Sequence, residues 1–268
     1  MSPPKHLAQA NRLIANLRVE STERFLDACE LVNLNRHDVL THASQLAAYA
    51  YFPIDSYIAI SFHTENSSNI QVDLTGNEGM VNVSLALGVR VATLTSVVEG
   101  AGRAIRIHHN ELQKLLNVDP SIRRVLNLYV SLQMDQWARN MACASFHTVE
   151  QRLARCLLLV RDRAHSNKFL LTQKSLSEML FVRRERVTQA ASELKTKNLI
   201  SYSRGDLRLI NQPGLEAVAC GCYEADVAYY EAAMDSLAPA HKPDETRRVA
   251  LAKLNRHIQS TFKAYSPD

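Results

Sequence analysis

The chain has no run of about 18 apolar residues, the length that a membrane-spanning helix needs, so no transmembrane helix is expected. Cysteine is scarce and odd in number, five residues without framework spacing, which suits a reducing cytoplasm better than a disulfide-stapled secreted fold. The opening Met1-Ser-Pro-Pro-Lys-His lacks the apolar stretch of a secretory signal, so a cytoplasmic location is expected. No nucleophile elbow, P-loop, HExxH or dinucleotide fingerprint occurs, and no enzymatic activity is expected. Glycine is absent before Gly76, yet five of the eight lie at Gly76, Gly79, Gly88, Gly100 and Gly102. Excess charge of one sign is also missing, because a net +4 is too small for a general nucleic-acid coat protein.

What is present is a local concentration of that charge. Residues 1–144 carry 12 Lys/Arg against 13 Asp/Glu, residues 145–224 carry 13 against 8, and residues 225–268 carry 6 against 6. In the basic segment, Leu176, Met179 and Leu180 fall on one helical face after Thr172, a suitable N-cap. Val187, Ala190, Ala191 and Leu194 do the same for a second helix, with only Phe181, Val182 and Arg183 between. So short a connection sets two helices at a large angle, as in a helix-turn-helix DNA reader, although a hairpin in any helical bundle shares the apolar pattern. The second helix opens on Arg184, Glu185, Arg186, Thr188 and Gln189. Arg can pair with guanine O6/N7, Gln with adenine N6/N7, and Glu can accept from cytosine N4.

The following runs, Leu199–Ser203 and Leu207–Ile210, are strand-like and flank Arg204-Gly205-Asp206, where glycine can supply a positive φ. A hairpin there is a wing, and Ser203 and Arg204 are available for the phosphate backbone. Five basic and two acidic residues between Arg183 and Lys197 add a sequence-independent, salt-sensitive attraction.

Upstream, Tyr51–Ile54, Tyr57–Phe62, Ile70–Leu74 and Val91–Val98 are β-branched and aromatic runs punctuated by turn signals. They predict an antiparallel sandwich or barrel over roughly 35–109, preceded by a helix within Leu7–Leu17. From Pro120 the period becomes helical: Ile122, Leu126 and Tyr129 form one stripe, and Val130, Met134, Trp137 and Met141 another. A helix over about 120–144 with two apolar faces must bury both, one in its own domain and one against a second copy or elsewhere in the same chain. Val149, Leu153, Cys156, Leu157 and Val160 predict one more amphipathic helix before the reader.

In this order the chain resembles the cyclic-AMP receptor protein/FNR (Crp/Fnr) superfamily of bacterial transcription regulators over about residues 8–224. The resemblance is carried by Leu171-Thr-Gln, by Met179-Leu-Phe-Val-Arg-Arg-Glu-Arg-Val-Thr188, by Asn198-Leu-Ile200 and by Tyr202-Ser-Arg-Gly205. Gly214-Leu-Glu216 and Ala219-Cys-Gly-Cys-Tyr223 continue it; Ala50–Pro53, Gly76–Met80 and Arg152-Leu-Ala-Arg155 match more weakly. It implies an α+β fold: an N-terminal antiparallel β-roll of the cyclic-nucleotide-binding, jelly-roll kind with its helix (1–118), a long dimerisation helix (119–145), a winged helix-turn-helix (146–224) and a C-terminal helical extension (225–268). It also implies a homodimer on pseudo-palindromic double-stranded DNA, with RNA polymerase as protein partner.

By the same resemblance, DNA contacts are assigned to Thr172, Gln173, Arg183, Arg184, Glu185, Arg186, Thr188, Gln189, Ser203 and Arg204, and dimer contacts to Ile122, Leu126, Tyr129 and Gln133. Arg184 and Glu185 fall where the cyclic-AMP receptor has base-contacting Arg and Glu, whereas Gln189 replaces an Arg. Phe181 stands where the family's turn has Gly, and a positive φ there would strain it by about 1 kcal/mol.

The roll's ligand residues would be Gly76, Glu78, Gly79 and Arg90. Because Val91 follows Arg90 where a small hydroxyl residue is expected, the cyclic-nucleotide cassette is incomplete and the ligand is unassigned. An iron-sulfur cluster is not expected, as only Cys29 precedes Cys143. No metal is assigned either: Cys143, His147, Cys220 and Cys222 could make a zinc site only if two distant segments converged, and buried helix packing accounts for such thiols. The rival reading is a small-molecule sensor whose output is a protein partner, which leaves Arg183, Arg184 and the wing unexplained. Val249, Leu251 and Leu254 with Arg247, Arg248, Lys253 and Arg256 lead to the expectation of a short charged helix around Val249–Arg256.

Overall fold

In the computed structural model, which describes residues 3–63, 69–237 and 252, the N-terminal stretch is not one helix. A 3-10 turn over Lys5–Ala10 and a short helix α1 (Arg12–Ala15) meet at Asn11, which takes the extended dihedrals of an N-cap. Its side-chain oxygen accepts from the Leu13 and Ile14 N–H groups, and its amide donates to the Pro53 and Gly79 carbonyls at 3.0 Å each. Asn11 is wholly buried, so these bonds favour the break over a continuous helix. Helix α2 (Val19–Asp27), absent from the sequence expectations, seats Phe25 edge-on against Phe52 with ring centroids 5.1 Å apart.

Among the described residues seven strands follow: β1 (Cys29–Leu34), β2 (Val39–Thr41), β3 (Tyr49–Pro53), β4 (Tyr57–His63), β5 (Asn69–Thr75), β6 (Thr95–Gly100) and β7 (Gly102–His108). They form two antiparallel sheets, ordered β1-β7-β3 and β2-β6-β4-β5. Ile105 on the central strand of the first sheet lies opposite Leu31 and Phe52. Leu34, Tyr51, Ile58, Ile60, Val81, Val98 and Ala104 form a buried cluster, and β3 and β4 are buried along most of their length. The roll starts six residues before the expected position 35, at Cys29. The expected strand Val91–Val98 is shorter, because Val91 and Thr93 are exposed and regular pairing begins at Thr95.

Helix α3 (His109–Val118) leads to α4 (Pro120–Phe146), which opens with proline at its first position while the Asp119 carboxylate accepts from the Ser121 and Ile122 N–H groups. Ile122, Leu126, Tyr129 and Gln133 are only 0, 2, 4 and 7% exposed within the single chain. Their assignment to the dimer contact is therefore corrected: this stripe is consumed by the chain's own fold, where Gln133 donates to Asp73 at 2.7 Å. Met134 and Met141, on the other stripe, are 65 and 72% exposed.

The described residues divide into two compact units, residues up to 133 with 163–165, and residues 134–162 with 166 onward. The second contains most of α5 (Val149–Ala164), then β8 (Lys168–Leu170), α6 (Gln173–Leu180), α7 (Arg184–Thr196), β9 (Ile200–Ser203), β10 (Asp206–Leu209), α8 (Gln212–Val218) and α9 (Cys222–Asp235). Helix α9 runs through the expected boundary at 224/225 and buries Asp226, Tyr229, Ala233 and Met234. The charged helix expected around Val249–Arg256 falls outside the described residues, apart from residue 252. Among the described residues no helix is long and apolar enough to cross a membrane.

Candidate nucleic-acid interface

The helix-turn-helix is assembled from two one-sided helices, of which α6 has a side-chain N-cap and α7 does not. Thr172 caps α6 by accepting from the Ser175 N–H at 3.0 Å, and Leu176 and Leu180 are buried. Helix α6 ends at Phe181, whose φ of 54° and ψ of 41° are left-handed, as the sequence suggested for the turn. The residue is 40% exposed, so more than half of it is buried, and that burial offsets the cost of about 1 kcal/mol for an L-residue there. Arg183, extended, occupies the N-cap position of α7, and its carbonyl accepts from Arg186 at 3.0 Å.

Val187, Ala190, Ala191 and Leu194 of α7 are buried, and α7 presents Arg184, Glu185, Arg186, Thr188 and Gln189 to solvent. Thr172, Gln173, Arg183, Ser203 and Arg204 are exposed as well. Two of the α7 side chains already have partners: the Thr188 hydroxyl donates to the Arg184 carbonyl at 3.0 Å, and the Gln189 amide donates to the Glu193 carboxylate at 3.1 Å. A base contact by Gln189 thus replaces an existing bond instead of satisfying an idle group.

The wing is a three-stranded sheet ordered β8-β10-β9, with Ser203 opposite Asp206 across Arg204-Gly205. Arg204 and Gly205 have φ of 50° and 87°, the pair of positive values that a type I′ hairpin turn requires. The tip is tied back where Leu171 N–H donates to the Gly205 carbonyl at 2.8 Å and the Tyr202 hydroxyl to the Leu171 carbonyl at 3.0 Å.

Behind the reader, two arginines of α5 organise the unit. The buried Arg152 guanidinium donates to the Leu180 carbonyl, satisfying the frayed end of α6, and to the Ala144 carbonyl at 3.3 Å; burial pulls its pKa below the usual guanidinium value. Arg155 pairs with Asp226 at 2.5 Å, and Arg139 of α4 holds the other carboxylate oxygen at 2.6 Å. Burial works against the charge of Arg155, but the attraction and hydrogen bond of Asp226 together with the neighbouring Cys143 and Cys222 outweigh it and raise the pKa. The sequence flagged Arg152 and Arg155 only as a weak match and did not single out Asp226, which carries no local pattern.

The ligand candidates of the roll stand in different surroundings. Glu78 accepts from the Gly76 N–H at 3.1 Å and pairs with Arg163 at 3.1 Å, whereas Arg90 is exposed and its carbonyl accepts from Ala47. Gly79 abuts Tyr129, whose hydroxyl a Cβ would strike, so close packing accounts for glycine there. The thiols behave differently from the sequence argument. Cys143 and Cys220 meet with sulfurs 3.5 Å apart, and hydrogen bonds from Cys220 and Cys222 hold Cys143 far below the ordinary thiol range, while the bond to Cys143 pushes Cys220 up to about 11. The convergence on which a zinc site depends is therefore present.

A family model described as the Crp-like helix-turn-helix domain matches residues 151–218. No curated protein matches the sequence. Among solved structures, a putative transcriptional regulator of the Crp/Fnr family from Eubacterium rectale superposes with a TM-score of 0.63 at 13% identity, covering 78% of this chain and 98% of its own. FixK2 from Bradyrhizobium japonicum gives 0.62 at 14% identity over 71% and 97%, and the Crp/Fnr regulator TTHA1359 from Thermus thermophilus gives 0.60 at 18% over 71% and 98%. The chain thus has the fold of the Crp/Fnr transcription regulators, with a Crp-like helix-turn-helix DNA-binding domain at residues 151–218.

Proposed function

We propose that the chain is a sequence-specific transcription regulator that binds pseudo-palindromic promoter DNA as a homodimer. The observation that carries this reading is the division of α7: its apolar side chains are buried, and Arg184, Glu185, Arg186, Thr188 and Gln189 stand together in solvent. Such a helix fits a major groove, with Arg184, Glu185 and Gln189 reading base edges and Thr172, Gln173, Arg183, Ser203 and Arg204 on the backbone. The dimer forms through the exposed α4 stripe of Met134 and Met141, not through the buried one. RNA polymerase is the protein partner in this reading, and a small molecule in the roll is the controlling input.

Cyclic AMP does not fit that input, since Glu78 is engaged by Arg163 and Arg90 lies exposed. The test is selection of sites from random duplex DNA at fixed salt, with and without cyclic AMP. One palindrome with half-sites about 34 Å apart, recovered equally in both arms, is the expected result. Failure to enrich any sequence in either arm would overturn the reading.

A further inference from the structure

We propose that Cys143, His147, Cys220 and Cys222 bind one thiophilic divalent cation, of which zinc is the best fit, in a tetrahedral site that staples the second unit together. One ligand atom from each residue lies within 4.8 Å of all the others. Cys143 Sγ is 3.5 Å from Cys220 Sγ, and Cys222 Sγ is 3.6 Å from His147 Nδ1. A tetrahedron with Zn–S of about 2.3 Å and Zn–N of about 2.0–2.1 Å has edges of about 3.5–3.8 Å, so these separations already approximate the coordination shell. All four donors converge on one point. A multi-iron cluster instead spreads its thiolates over different irons, and three sulfurs with one imidazole nitrogen select zinc over calcium or magnesium.

The chain supplies the ligands in two pairs from segments 77 positions apart. Cys143 lies in the last turn of α4, and His147, just past its end, donates its N–H to the Cys143 carbonyl at 3.2 Å. Cys220 and Cys222 flank Gly221 where α8 gives way to α9. Cys143 and Cys220 are almost fully buried, while His147 and Cys222 keep partial exposure, which leaves the ion a way in.

Charge supports the assignment. Three thiolates, a neutral imidazole and a divalent cation sum to one negative charge. The buried cluster of Arg139, Asp226 and Arg155 sums to one positive charge, and Arg155 interacts electrostatically with Cys143 and Cys222. Packing of small thiols accounts for each cysteine separately but not for an imidazole nitrogen meeting them at the same point.

The test uses the full chain, purified under reducing conditions without chelator and assayed for metal by plasma mass spectrometry. Close to one zinc per chain is expected. Exchange for Co²⁺ should produce the visible d–d and near-ultraviolet sulfur-to-metal bands of a tetrahedral thiolate site, lost in Cys220→Ser/Cys222→Ser and weakened in His147→Ala. Stripping the metal from the wild type should lower Tm by at least about 5 °C, and restoring zinc should recover it. These wild-type readings stand even if a variant fails to fold. Metal far below one per chain with no cobalt bands would overturn the proposal, as would bands that survive in the folded double variant. A Cys143–Cys220 disulfide in protein that takes up no metal after reduction would also overturn it.

Discussion

Phe181 holds a backbone conformation that glycine tolerates and an aromatic residue resists. With Phe181 more than half buried, Phe181→Gly is expected to leave stability within about 0.5 kcal/mol of the wild type in urea denaturation, the relief of left-handed strain being offset by the lost contact and the added chain entropy. A larger loss of stability would show that the ring's contacts matter more. Arg184→Ala belongs to the same scale but should leave stability unchanged, because the side chain is exposed on α7. It should cost about 1–3 kcal/mol of specific DNA binding and relax preference at one base pair; selection profiles identical to the wild type would remove the contact. Single residues with local chemistry are legible in the sequence: Thr172 as a cap, Gly205 as a turn and the α7 face as a polar surface. Asp226 was not, because its role depends on Arg139 and Arg155, which come from two other helices.

Elements with a long, clean period were equally legible, and α4, α6 and α7 lie close to where their apolar spacing puts them. Strand β8 was missed because three residues cannot display a period; Phe169 finds its place only by lying opposite Leu207 on β10. Asn11 breaks the first helix for the same kind of reason, its partners Pro53 and Gly79 being remote in sequence. The element whose removal should hurt most is the junction of α4, α5 and α9. Asp226→Ala leaves two buried guanidinium groups without their carboxylate, a loss expected to cost about 3–5 kcal/mol in equilibrium unfolding. A change below about 1 kcal/mol would mean that water reaches those charges.

For the whole molecule, sequence periodicity identified two apolar stripes on α4 but could not tell which one the chain uses for itself. That depends on Asp73 and Gly79, which meet Gln133 and Tyr129 only in the folded roll. The distinction sets the assembly prediction: Met134→Glu with Met141→Glu should give a monomer by sedimentation and bind a full palindrome at least about tenfold more weakly, because charges placed in an apolar seam must be desolvated. The matching substitution at Ile122 should instead unfold the roll, which separates the two stripes by experiment.

The position of β10 between β8 and β9 bears on how the wing meets DNA. A strand bonded on both edges cannot swing as a free arm, so in the proposed DNA complex Arg204 would reach a phosphate already oriented, and association would order little new chain. Its reach is a matter of strand length. Two residues added to each of β9 and β10 beside the Arg204-Gly205 turn would keep every inward side chain facing inward and carry the tip about 7 Å outward. In the proposed complex the phosphate contacted by Arg204 would shift by up to about two nucleotides, to be read as a displaced footprint edge with the selected palindrome unchanged.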